Sequence, residues 1–267
     1  MKWVLNTYET CQDWDVDRII EVCRSTGYSG IDFLMDFGQR HGVEADAPAS
    51  HVEAVGRRVM DAGLTVASLT SCMKFDSADS AQRDHSIDQV RRVIDHARAI
   101  RCDHVRVLGD SLPQGEDDRR RTIDQVGAAV GVLGRHAAPS GITVSMEMHG
   151  DFTDPELALA VVKRAAQPNV GLVFNSQWRV GVEDGWSLPA GASSIRPLYD
   201  LTGRCYTSVH THQMEDPEEL GYYHELFVLL RRDGYEGYIS NECAYQGPDS
   251  EKVLGLYTAL FQSLSGG

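Results

Sequence analysis

An unbroken alternation of short apolar runs and longer amphipathic ones is the feature that most limits what this chain can fold into. WVLNTY gives way to a helical pattern from Asp15 to Thr26, GIDFLMD to SHVEAVGRRVMDAG, and TVASLTSCM to SIDQVRRVIDHARAI. HVRVLGD precedes RRTIDQVGAAVGVLGRHA, and TVSMEMHG precedes DPELALAVVKRAA. VGLVFNSQ leads into SIRPLYDLTG, YTSVHTHQ into YYHELFVLLRRDG, and GYISNECAY into SEKVLGLYTALFQSL. The longer runs place apolar residues three and four apart, as at Val90, Val93, Ile94 and Ala97, which makes one face of a helix. Glycine stands before the next short run at Gly27, Gly63, Gly141, Gly203 and Gly234, where a left-handed residue would stop a helix. Asp154-Pro155 reads as a helix start, with Asp as the cap and Pro in the first turn.

Eight strand–helix units predict a parallel sheet closed into a (β/α)8 TIM barrel, a single α/β domain over residues 1–267. An open doubly wound sheet is the alternative, but no glycine-rich turn follows the first strand. In a barrel the active site is expected at the C-terminal strand ends. The longest irregular stretch, Ser176 to Ser194, is then a lid or a contact surface. Its Trp178 and Trp186 mark an expected subunit contact, with a second copy or a partner subunit.

Composition removes several function classes. The net charge is −14, and the basic clusters Arg91–Arg92 and Arg119–Arg120–Arg121 lie on predicted helices among acidic residues, so nucleic acid is not an expected partner. No run approaches the roughly 18 apolar residues of a membrane span. MKWVLNTYET lacks the pattern of a signal peptide, and the six cysteines are scattered without a C-x-x-C pair. Reduced thiols and a cytoplasmic location are the expectation. Cys243, next to Glu242, points away from it along a strand.

Four polar residues stand near the ends of four consecutive strands: Glu147, Asn175, His210 and Glu242, separated by 28, 35 and 32 residues. Parallel strands bring all four to one end of the barrel. Two carboxylates, an imidazole and an amide oxygen there suit a divalent metal ion. Side-chain alternation puts His149 on the face of Glu147, Gln177 on that of Asn175, and His212 on that of His210. Lys74, near the end of strand 3, and Asp36, after strand 2, are either cavity residues or ordinary loop charges.

The motifs TGYSGIDF, SMEMHG, SVHTHQ and DGYEGYISNE resemble, in order and spacing, those of the xylose-isomerase-like barrel superfamily of sugar isomerases and epimerases. That resemblance implies a metal held by Glu147, Asn175, His210 and Glu242, and mixed nitrogen and oxygen ligands with open positions suit manganese ahead of magnesium, cobalt or zinc. It implies Glu147 and Glu242 as the acid/base pair. His149, His212, Trp178 and Lys74 are the expected contacts to a carbohydrate substrate. Two departures stand out. Asn175 replaces the usual Asp, which lowers the ligands' formal charge from −3 to −2 and should weaken binding of a divalent ion. Trp178 stands where the pattern often has His.

The leading expectation is a metal-dependent isomerase or epimerase acting through an enediolate. A lyase on the same scaffold, such as a keto-cyclitol dehydratase or a C-glycoside-cleaving subunit, begins with the same proton abstraction. A repair nuclease of the same barrel would need more strand-end His and a basic groove. A non-catalytic barrel subunit is the reading from a different class.

Overall fold

The strands of this chain are buried on both faces, and on several of them the two faces have opposite character. On β4 (His104–Asp110), Val105 and Val107 belong to the apolar core, whereas His104 and Arg106 are buried polar residues. On β5 (Thr143–Gly150), Val144, Met146 and Met148 alternate in the same way with Ser145 and Glu147. Residues of period two line opposite faces of a strand. The apolar set meets the helices, and the polar set fills the space that the strands enclose.

The computed structural model describes residues 1–176, 187–189, 191–212, 214 and 217–266. The other strands are β1 (Lys2–Asn6), β2 (Gly30–Leu34), β3 (Thr65–Thr70), β6 (Val170–Asn175), β7 (Tyr206–Thr211) and β8 (Tyr238–Asn241). All eight are parallel, and β8 pairs back onto β1 to close the barrel in sequence order. The helices α1 (Val16–Thr26), α2 (Ala49–Asp61), α3 (Ser80–Ala99), α4 (Glu116–Ala137), α5 (Pro155–Ala165), α6 (Arg196–Thr202), α7 (Pro217–Arg232) and α8 (Ser250–Ser265) follow the strands in turn. The expected (β/α)8 TIM barrel is the observed fold. No helix among the described residues is long and apolar enough to cross a membrane.

Local signals act as read, with one exception. Asp154 accepts from the amides of Glu156 and Leu157 and caps α5, with Pro155 in the first turn. Gly27, Gly63, Gly141 and Gly234 are left-handed. Gly203 is not: its φ of −56° is right-handed and carries α6 into the 3-10 turn Gly203–Cys205. Close packing explains the glycine there, because a Cβ would lie 2.8 Å from the Tyr199 ring.

The lumen carries hydrogen bonds where barrels more often carry branched apolar side chains. His104 sits between the hydroxyls of Ser68, Ser145 and Thr207. Nearer the C-terminal end, the Asp32 carboxylate accepts from Asn6, Thr70 and Ser240. These layers satisfy one another, as buried polar groups must, and they form the floor on which the strand-end residues stand. All six cysteines are free.

Candidate active site

At the C-terminal end of the lumen the strands present one polar position each, and the register sets which of them meet. Leu108 pairs with Glu147, Asn175 with His210, and His210 with Ser240. Glu147, Asn175 and Glu242 line one cavity of 240 Å³. Its wall is completed by Tyr8, Leu34, Phe37 and Cys72 from the first three units and by Arg106, Leu108 and His149 from β4 and β5. A larger groove of 970 Å³ lies outside the barrel against α1 and α8 and touches none of the strand-end residues, so volume alone does not mark the site.

Glu147 is the most heavily engaged residue. Its Oε1 accepts from Asn175 Nδ2 at 2.6 Å. Its Oε2 lies 2.7 Å from Arg106 Nη1 and 3.4 Å from His210 Nδ1. Burial alone would raise its pKa, but the guanidinium and the imidazole outweigh that and hold the carboxyl below its ordinary value. His210 is enclosed between Glu147 and Asp32, with Nε2 3.4 Å from Asp32 Oδ2. Burial would push its pKa down, whereas the carboxylates on either side raise it.

Glu242 stands apart. Its Oε2 is 3.7 Å from His210 Nδ1 and its Oε1 3.9 Å from His212 Nδ1. Burial first, and the nearby Glu147 charge after it, raise its pKa. His212 Nε2 donates to Asn175 Oδ1 at 2.7 Å, and burial lowers the His212 pKa to about 4, so the ring is neutral. His149 Nδ1 donates to Asp110 Oδ1 at 2.6 Å, and Lys74 donates to the other Asp110 oxygen. Asp110, which holds the cavity residues His149 and Lys74, has φ 79°, an uncommon conformation outside glycine.

The structure therefore brings together Glu147, Asn175, His210, Glu242, His149, His212 and Lys74. Asp36 does not join them: its carboxylate accepts from Ser71 and the Cys72 amide and ties the loop after β3. Trp178, Trp186 and Gln177 lie outside the described residues. Arg106, Asp110 and Asp32 belong to the site although the motif reading passes over them. Arg106 in HVRVLGD and Asp32 in GIDFLMD did carry a signal, since a lone charge inside an apolar strand must find a partner once buried.

As placed, Arg106 and the orientation of Asn175 oppose the expected divalent ion, although Glu147 Oε2 and both His210 ring nitrogens are buried without a hydrogen-bond partner among the described residues. The Glu147 oxygen that faces His210 also faces a guanidinium nitrogen at shorter range. Asn175 turns its nitrogen toward Glu147 and its oxygen toward His212. A carboxylate can only accept, so the amide cannot offer Glu147 its oxygen instead. Among the described residues no group of three or more His, Cys, Asp or Glu side chains is arranged to hold a metal ion.

Comparison with known proteins agrees with the fold. No curated protein matches the chain in sequence. Among solved structures, the Escherichia coli 3-keto-D-glucoside 4-epimerase YcjR is 16% identical, with full coverage of both chains and a TM-score of 0.73. A D-psicose 3-epimerase is 12% identical, with full coverage of both chains and a TM-score of 0.74. The IOLI protein, solved with a bound zinc atom, is 14% identical, covering 100% of this chain and 98% of its own, with a TM-score of 0.73. At such identities the likeness carries the architecture. The sequence pattern of one family matches residues 20–256, and the chain belongs to that family, the xylose isomerase-like TIM barrels.

Proposed function

We propose that this chain is an isomerase or epimerase of a small polyhydroxylated carbonyl compound, working by proton abstraction beside the carbonyl. The observation that carries the reading is Glu242, a carboxylate with a raised pKa that faces the cavity containing the Arg106–Glu147 pair. A raised pKa makes a carboxylate a stronger base toward a carbon-bound proton. Glu147, held by Arg106 and Asn175, is a poorer base and a better anchor. The epimerase neighbours and the family membership support the same class.

The step balances as follows. Glu242 takes the proton from the carbon next to the carbonyl, and the electron pair of that C–H bond forms a carbon–carbon double bond. The carbonyl π pair moves onto oxygen, giving an enediolate. Return of a proton to the former carbonyl carbon, with the neighbouring hydroxyl proton passing to the oxyanion so that the carbonyl moves over, isomerises the substrate, and return of a proton to the opposite face of the original carbon epimerises it. His149, fixed through Nδ1 by Asp110, and His212, fixed through Nε2 by Asn175, are placed to orient hydroxyls. The cavity of 240 Å³ lies just below the usual range of about 300–1,000 Å³ for small-molecule sites and restricts the substrate to one small ring or chain.

Turnover in heavy water tests the reading, with a panel of ketoses, keto-cyclitols and 3-keto-glycosides. Deuterium at the carbon beside the carbonyl is expected. Complete retention of the original hydrogen in a turned-over product would refute proton abstraction. Loss of water from the intermediate in place of proton return would assign the lyase reaction.

A further inference from the structure

We propose that the Arg106 guanidinium is the resident cation of this site, standing where the family pattern places a divalent metal ion and presenting its N–H groups to the substrate's carbonyl oxygen. The inference rests on the reading of the cavity as a site for a polyhydroxylated carbonyl compound.

Three observations converge on it. Arg106 and Glu147 are 4% and 2% exposed, so their contact at 2.7 Å is a buried ion pair in a low-dielectric lumen. The carboxylate oxygen that Arg106 touches is also the one nearest His210, the oxygen a shared ion would need. Asn175 spends its nitrogen on the other oxygen of Glu147. A divalent ion beside the Arg106 guanidinium would also meet a like charge.

Arg106 also has capacity left for a substrate. Its Nε is buried without a hydrogen-bond partner among the described residues, as are Glu147 Oε2 and both ring nitrogens of His210 beside it, and Arg106 lines the cavity. A buried donor left unpaired is costly. A developing oxyanion is the partner that such a donor, fixed in place by Glu147, would stabilise.

Titration of the chelator-treated protein with manganese chloride, followed by calorimetry and by the manganese EPR signal, tests this without any substrate. The wild-type protein should bind no stoichiometric manganese, and a chelator should leave its melting temperature unchanged. Arg106→Met should bind manganese about tenfold more tightly or better, because one positive charge leaves the ion's neighbourhood. If Arg106→Met does not fold, Asn175→Asp, which leaves Arg106 in place, should raise manganese affinity over wild type by adding the missing carboxylate. One tightly held divalent ion per wild-type chain, or equal manganese affinity in wild type and in the folded variants, would overturn the proposal. Those outcomes would leave proton abstraction by Glu242 standing. Failure of the whole substrate panel would count against the functional reading and would not change the metal measurements.

Discussion

Acidification from pH 7 to pH 5 should destabilise this barrel by about 2 kcal/mol through His104 alone. The ring is 4% exposed, with Nδ1 3.1 Å from Ser68 Oγ and Nε2 3.0 Å from Ser145 Oγ. Burial pushes its pKa down to about 4; Asp32 opposes that shift, while His210 and Arg106 add to it. In the unfolded chain the pKa returns to about 6.5. A folded value below the unfolded one means that the unfolded chain binds the extra proton between those two pH values. Stability from this residue is therefore fully present above about pH 6.5, declines as pH falls, and is lost by about pH 4. The full difference is about 3.4 kcal/mol, and about 1.8 kcal/mol of it falls between pH 7 and pH 5. Against a total stability of about 5–15 kcal/mol this is large. Urea unfolding at pH 7 and pH 5, for wild type and His104→Gln, isolates the effect, because the other titrating groups are common to both proteins. The wild type should lose about 1.8 kcal/mol more than the variant. Equal losses, or an NMR titration of His104 near pH 6.5 in the folded protein, would refute the reasoning.

Other substitutions probe the site and its supports. Gly150→Ala should unfold the end of β5, since φ is 58° there and a Cβ would lie 2.2 Å from the Asp110 carbonyl oxygen; a melting temperature within a degree of wild type would contradict this. Asp32→Ala removes the acceptor for Asn6, Thr70 and Ser240 and leaves His210 without its inner carboxylate, so chemical denaturation should show a loss of about 3–5 kcal/mol. Glu242→Gln should retain the fold by circular dichroism and lose solvent exchange of the substrate's carbon-bound hydrogen by about a hundredfold or more. Asp110→Ala frees the His149 ring from its Nδ1 acceptor, so KM should rise for substrates that His149 orients while urea stability changes by about 1 kcal/mol or less; an unchanged KM would show that His149 needs no such support.

Much of this protein could be read along the chain. The eight alternating units required only that periodicity reports burial, and they close into the barrel as read because a parallel strand connected through a helix has few other ways to bury both faces. Glu147, Asn175, His210 and Glu242 could be placed at one end because parallel strands share a direction. Side-chain parity likewise put His149 beside Glu147 and His212 beside His210. Periodicity marked Gly203 as a helix stop, yet the approach of the Tyr199 ring decides that glycine, and ring packing is a matter of three dimensions. The same limit explains Arg106. Parity puts it on the lumen side of β4, but its contact with Glu147 depends on the stagger of β4 against β5, which pairs Leu108 with Glu147 and lets a long side chain reach up from the layer below. Spacing along a strand says which face a charge occupies. Only the closed sheet decides which opposite charge it meets there, and in this lumen Arg106 meets Glu147.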